Sequence, residues 1–185
     1  MKNYFEYPVV PAIRDDTQIL KALKSRTTSI FLLTGDIASL QERIRLFHEH
    51  SKYVFVHIDL VKGLSKDDAA VRFLKSQLKA DGVITTKGSL INTAKKIGLV
   101  SVQRIFLLDS QSLETGIAQA KSHRPDYIEV LPGLIPDLLP QIRRETAVPV
   151  ITGGLIEEIE QVKEALSKKA TAVSTSREDL WNLSL

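Results

Sequence analysis

This chain contains no cysteine. Disulfides, thiolate zinc sites and a cysteine nucleophile are therefore excluded, and a reducing cytoplasm is the expected compartment. No apolar run approaches the ~18 residues that span a bilayer. The opening Met1-Lys-Asn-Tyr-Phe-Glu6 carries an early acidic residue and no apolar stretch, so it does not read as a signal peptide. Charge of one sign is lacking too: 25 basic residues face 22 acidic ones, for a net charge of +3. That is far from the dense positive charge by which a nucleic-acid binder declares itself. The histidines, His48, His50, His57 and His123, include no pair at i, i+4 on a helix, so no metal and no cofactor is expected. There is no linker, no low-complexity tract and no sign of a second domain.

What is present alternates. Apolar runs rich in β-branched residues recur at 8–13, 29–34, 53–58, 82–85, 100–106, 127–130, 148–152 and 171–174. Helical periodicity fills the intervals at 17–24, 36–50, 66–79, 89–97, 110–122, 136–144 and 155–167, with a stub at 177–183. Cap signals stand at Asp36, at Ser110 after Asp109, and at Ser176 with Asp179 three residues on. Strict βα alternation gives a parallel sheet, and eight units close into a barrel. The expected fold is α/β: a compact (β/α)8 TIM barrel formed by residues 1–185 as a single domain, its last helix truncated. An open doubly wound sheet would carry G-x-G-x-x-G after the first strand, where this chain reads Ile13-Arg-Asp-Asp16.

The strongest local signal lies near the end. Val148 to Thr152 runs into Gly153 and Gly154, and a second strand ends in Ser174, Thr175 and Ser176. Loops after strands seven and eight of such barrels form the usual phosphate site, since glycines admit a ligand to the backbone and a following helix offers free N–H groups. A small phosphorylated ligand is therefore expected. Alternation along strand three places Phe55, His57 and Asp59 on one face, so His57 and Asp59 should point into the barrel mouth. A hydrogen-bonded core histidine is the plain alternative. Lys87, following Val83 and Thr85, reads as a mouth lysine that binds phosphate or forms a Schiff base, or as a solvated surface residue. Gln103 and Arg104 are adjacent, so only one of them reaches the mouth, and Arg104 could instead anchor the outer layer. Glu129, flanked by Ile128 and Val130, should face inward and need Lys87 or Arg104 as partner. The tight loop Leu131-Pro-Gly133 after strand six should place backbone N–H groups, that of Gly133 included, at the phosphate site, a plain turn being the alternative. Arg14 follows strand one and could meet an anion.

These residues resemble a family. Val10-Pro-Ala-Ile-Arg14, Phe55-Val-His-Ile-Asp-Leu60 with Gly63-Leu64, and Thr85-Thr-Lys87 are its first markers. Gln103-Arg-Ile-Phe106, Ile128-Glu-Val-Leu-Pro-Gly133, Gly153-Gly-Leu-Ile156 and Val173-Ser-Thr-Ser176 complete the series. In order and at consistent spacing they are similar to the glycerol uptake operon antiterminator regulatory proteins of Gram-positive bacteria. The resemblance implies a barrel without known catalysis. It implies glycerol 3-phosphate as effector and the leader of a messenger RNA as partner, with transcription of glycerol-use genes passing a terminator. A homodimer would double a modest basic patch such as Arg143 with Arg144, or Lys95 with Lys96. The competing reading is a small phosphosugar isomerase or aldolase using Lys87, Glu129 or His57.

Overall fold

Eight short strands alternate with helices in a computed structural model that describes residues 3–184. The strands are β1 (Val9–Ile13), β2 (Ser29–Leu32), β3 (Tyr53–His57), β4 (Gly82–Thr85), β5 (Val100–Phe106), β6 (Tyr127–Leu131), β7 (Val150–Gly153) and β8 (Ala172–Thr175). Each pairs in parallel with its sequence neighbour, and β8 returns to β1 through Val9–Val173, Val10–Ser174 and Pro11–Thr175, closing the barrel. The helices are α1 (Ile19–Lys24), α2 (Leu40–Glu49), α3 (Asp68–Ser76), α4 (Gly88–Lys96), α5 (Ser110–His123), α6 (Leu139–Thr146) and α7 (Ile159–Ser167). The eighth unit ends in a 3-10 turn, Glu178–Leu180, and Trp181 beyond it is buried with its indole N–H on the Thr175 carbonyl. No helix among the described residues is long and apolar enough to cross a membrane.

Several helices start later than their periodicity suggests. The stretch before α2 is an Asx turn, in which the Asp36 carboxylate accepts from the N–H groups of Ala38 and Ser39. Residues 155–158 stay outside α7 because Leu155 has φ +61°, which an α-helix does not admit. Asp109, not Ser110, caps α5. Ser176 caps nothing: the terminal 3-10 turn starts from Arg177 without a side-chain cap.

Alternation divides the strand residues between two shells. Val9, Ile13, Ile30, Leu32, Val54, Val56, Val83 and Val173 face the helices. Val10, Phe31, Phe55, Ile84, Val102, Ile151 and Ala172 fill the lower barrel, where the strands begin, together with Phe5 from the segment before β1. The Phe5 ring lies 4.8 Å from Tyr127, 5.4 Å from Phe55 and 6.1 Å from Phe31, so it plugs the barrel from below. A Cβ at Gly82 would stand 2.3 Å from the Phe55 ring, so glycine at the start of β4 is what admits this large side chain. With the lower barrel packed by rings, the open space of the barrel is at the other end.

Candidate functional site

Above the aromatic layer the inward positions turn polar. On β5 the apolar alternation runs through Val102, and Arg104, two residues on, shares its face. Arg104 is therefore the inward member of the pair, and Gln103 is the outward one. Gln103 is fully buried between barrel and helix, donating to Gln119 of α5 at 3.2 Å. Both expectations for β5, that Gln103 could reach the mouth and that Arg104 could anchor the outer layer, give way to this register. The neighbouring strand presents Glu129, whose Oε2 accepts from Arg104 Nε at 2.7 Å and whose Oε1 accepts from Ser174 Oγ at 2.7 Å. A buried carboxylate without such partners would cost several kcal/mol, on the order of a desolvated charge. Gly153 serves this pairing: a Cβ there would stand 1.9 Å from Ser174 Oγ. Its role is to clear the serine, and it does not line the cavity.

The cavity above this floor measures about 550 Å3 and is lined by Arg14, Arg104, Glu129, Gly154, Leu155, Ile156, Glu157, Ser174, Thr175, Ser176 and Arg177, with Ala12, Leu33, Leu60 and Leu131 as its apolar wall. Arg14 makes no ion pair or side-chain hydrogen bond among the described residues. Arg177, which the sequence reading passed over, is held by Asp179 at 3.2 Å through two nitrogens. Its position directly after the strand-eight hydroxyls was the available signal. Thr175 stitches the two loops together: Oγ1 donates to the Ile156 carbonyl at 2.8 Å and accepts from the Arg177 N–H at 3.0 Å. Gly154, at φ +76°, carries the turn, and its carbonyl accepts from the Gly133 N–H at 2.9 Å. Gly133 supports that turn from behind, where a Cβ would meet the Ile156 side chain at 2.7 Å, and it is not part of the lining. The N-terminus of α7 is self-satisfied by the capping box of Glu158 with Gln161. Gln161 Oε1 accepts from the N–H groups of Glu157 at 2.8 Å and Glu158 at 3.0 Å, so this turn is closed by a neutral amide beside two acidic residues, and arginines supply the cavity's positive charge.

Lys87 is not at the cavity. Ile84 points into the barrel and Val83 to the helices, so Thr85 and Lys87 follow Val83 outward. Lys87 is the residue before α4, exposed, its Nζ on the Lys66 carbonyl at 3.4 Å. Asp59 sits in a 3-10 turn after β3 and accepts from Thr85 Oγ1 at 3.1 Å, from the Thr86 N–H at 2.9 Å and from Thr86 Oγ1 at 3.2 Å. It ties β3 to β4 and faces His57 Nδ1 at 3.9 Å, too far for a hydrogen bond. His57 does point into the barrel, and its buried Nδ1 has no partner. Burial, and then the positive charge of Arg104, push its pKa down to about 4, so it is neutral near pH 7.

The basic pairs Lys95–Lys96 and Arg143–Arg144 occupy the last turns of α4 and α6. Helices in a parallel βα barrel run against the strands, so these turns lie at the end opposite the cavity.

Comparison with known proteins places the chain among relatives of the same fold. A 35% identical structure, the glycerol uptake operon antiterminator regulatory protein of Listeria monocytogenes, superposes with a TM-score of 0.93 over 98% of both chains. A glycerol uptake operon antiterminator-related protein of Thermotoga maritima is 36% identical, with a TM-score of 0.84 over 94% of this chain and 97% of that one. YgcP of Escherichia coli K12, an uncharacterised protein, is 32% identical over 95% of this chain and 92% of its own length. The family model described as glycerol-3-phosphate responsive antiterminator matches residues 9–181, from the first strand to the buried tryptophan that seals the last. The chain belongs to the glycerol-3-phosphate responsive antiterminator family.

Proposed function

We propose that this protein is a cytoplasmic sensor that binds glycerol 3-phosphate in the barrel mouth and acts on the leader of a messenger RNA to let transcription of glycerol-use genes continue. The observation that carries the reading is the coincidence of family and cavity. The family match covers every strand and loop around a pocket in which three arginines face two glutamates. A phosphate monoester carries about −1.5 to −2 charges at neutral pH, and a cavity whose Arg14 has no ion-pair partner among the described residues suits it. The aldolase reading loses its nucleophile, because no lysine lines the cavity. Its remaining candidates are a neutral His57 and a Glu129 whose two oxygens are both engaged. No observation favours turnover over binding.

Titration calorimetry with sn-glycerol 3-phosphate tests the ligand half. Wild-type protein should bind it, and Gly154→Val, which forces a β-branched residue into a left-handed turn at the cavity wall, should not. Arg14→Ala, which leaves the turn intact, should weaken binding as well. Undiminished affinity in both variants would move the ligand elsewhere. Fluorescence anisotropy with a labelled leader RNA, with and without the ligand, tests the other half.

A further inference from the structure

We propose that the buried Arg104–Glu129 pair reads the hydroxyl end of the ligand and rejects a second negative charge there, so that the cavity selects a phosphorylated polyol over a phosphorylated acid. This rests on reading the cavity as a phosphate-ester site and adds which esters it takes.

The argument is one of unspent hydrogen-bonding capacity. Arg104 is 8% exposed and Glu129 1%. Of the five N–H groups of the guanidinium, only Nε–H is spent, on Glu129 Oε2 at 2.7 Å. The two terminal nitrogens take no acceptor among the described residues and belong to the cavity floor. Glu129 receives one donor on each oxygen, from Arg104 and from Ser174, which leaves about two of its four acceptor directions open. The floor thus offers free donors beside free acceptors. A hydroxyl satisfies both, since it accepts and donates through one oxygen. A carboxylate can only accept.

Charge points the same way. Arg104 and Glu129 cancel at contact distance, and His57 beside them is neutral, so the floor carries no surplus cation for an acid. The exposed cations of the cavity are Arg14, which has no ion-pair partner among the described residues, and Arg177, held by the exposed Asp179. A carboxylate seated on Arg104 would lie against Glu129, whose position is locked by Ser174 and by the clearance that Gly153 provides. Like charges set side by side in a desolvated site repel strongly. The molecule is therefore polarised: anion at the rim, neutral polar groups on the floor.

Calorimetry with three probes decides it: sn-glycerol 3-phosphate, 3-phosphoglycerate and inorganic phosphate. The first two differ in that one end carries a carboxylate in place of a hydroxymethyl group. Wild-type protein should prefer glycerol 3-phosphate over 3-phosphoglycerate by roughly tenfold or more. Glu129→Gln keeps the shape and can still bond Arg104 and Ser174, but it frees the arginine's charge. It should weaken glycerol 3-phosphate and strengthen 3-phosphoglycerate, each by roughly tenfold, a gain that mere loss of packing could not produce. Equal wild-type affinity for the two esters would overturn the inference, as would a folded Glu129→Gln protein with no gain for the acid. The wild-type titrations settle the matter even where that variant fails to fold. Should none of the three probes bind wild-type protein, the phosphate-site reading itself falls. Binding of all three with no preference sinks only the selectivity.

Discussion

His57 has the most revealing environment of any single residue. It is a buried titratable ring with an unpartnered Nδ1 and the charge of Arg104 acting on it. Its pKa is about 4 in the folded protein against 6.5 in a free chain, so between these values the unfolded chain holds a proton that the native one refuses. Stability should consequently be full above about pH 6.5 and fall as the pH drops towards 4, by up to about 3 kcal/mol from this residue. Urea unfolding at a series of pH values would show the slope, and His57→Asn should flatten it. A variant that kept the wild-type slope would place the pH dependence elsewhere. Gly153 makes the complementary point. Sequence reading assigns it to the ligand because glycine pairs mark phosphate loops, whereas its hydrogen atom is what leaves room for Ser174 Oγ. The residue types were legible; which neighbour each one serves was not.

At the scale of elements, side-chain caps hold the starts of α3 and α5, where Asp67 and Asp109 accept from the first helical turn. The clearest is at α5, where the Asp109 carboxylate accepts from the Ser112 N–H at 2.8 Å and Ser112 Oγ accepts from the N–H groups of Asp109 at 3.0 Å and Leu108 at 2.8 Å. Asp109→Ala should cost about 1 kcal/mol in denaturant unfolding while leaving ligand affinity unchanged, since this loop does not line the cavity. A much larger loss would mean that the cap also holds β5 in register. Existence and order of the helices followed from periodicity. Their starts did not, because Asx turns, a positive φ at Leu155 and 3-10 turns at Asp16–Gln18 and Pro136–Leu138 replace first helical turns. Such turns use the same apolar spacing as helices over so few residues that no pattern separates them.

For the whole molecule the consequence is separation. The ligand site and the RNA contacts proposed above fall at opposite ends of the barrel, the first among the strand-end loops and the second at the last turns of α4 and α6. Arg143→Glu with Arg144→Glu should weaken leader binding and lower its salt slope by roughly two, while calorimetry without RNA gives unchanged glycerol 3-phosphate affinity. Unchanged RNA affinity would remove this face from consideration. Any coupling between the two ends must be reciprocal, so the leader has to tighten ligand binding by the factor with which the ligand tightens the leader.

Much of this was written in one dimension. Eight apolar β-type runs spaced by helical periods specify a closed parallel barrel because each strand must be covered on both faces and each crossover needs a helix. The glycine pair, the strand-eight hydroxyls and the family strings follow from local residue types and spacing, which is what a sequence records directly. Tertiary structure decided the facing. On β5, polar and apolar residues alternate ambiguously, and only pairing with Ile84 on one side and Glu129 on the other turns Arg104 inward and Gln103 outward. On β4 the register sends Lys87 out of the mouth, where a one-residue slip would have put it in. Phe5, ahead of the first strand and without periodicity of its own, becomes the plug of the lower barrel because three rings from β2, β3 and β6 leave a space that one more ring fills. These outcomes depend on partners far along the chain, and distance in sequence carries no trace of contact in space.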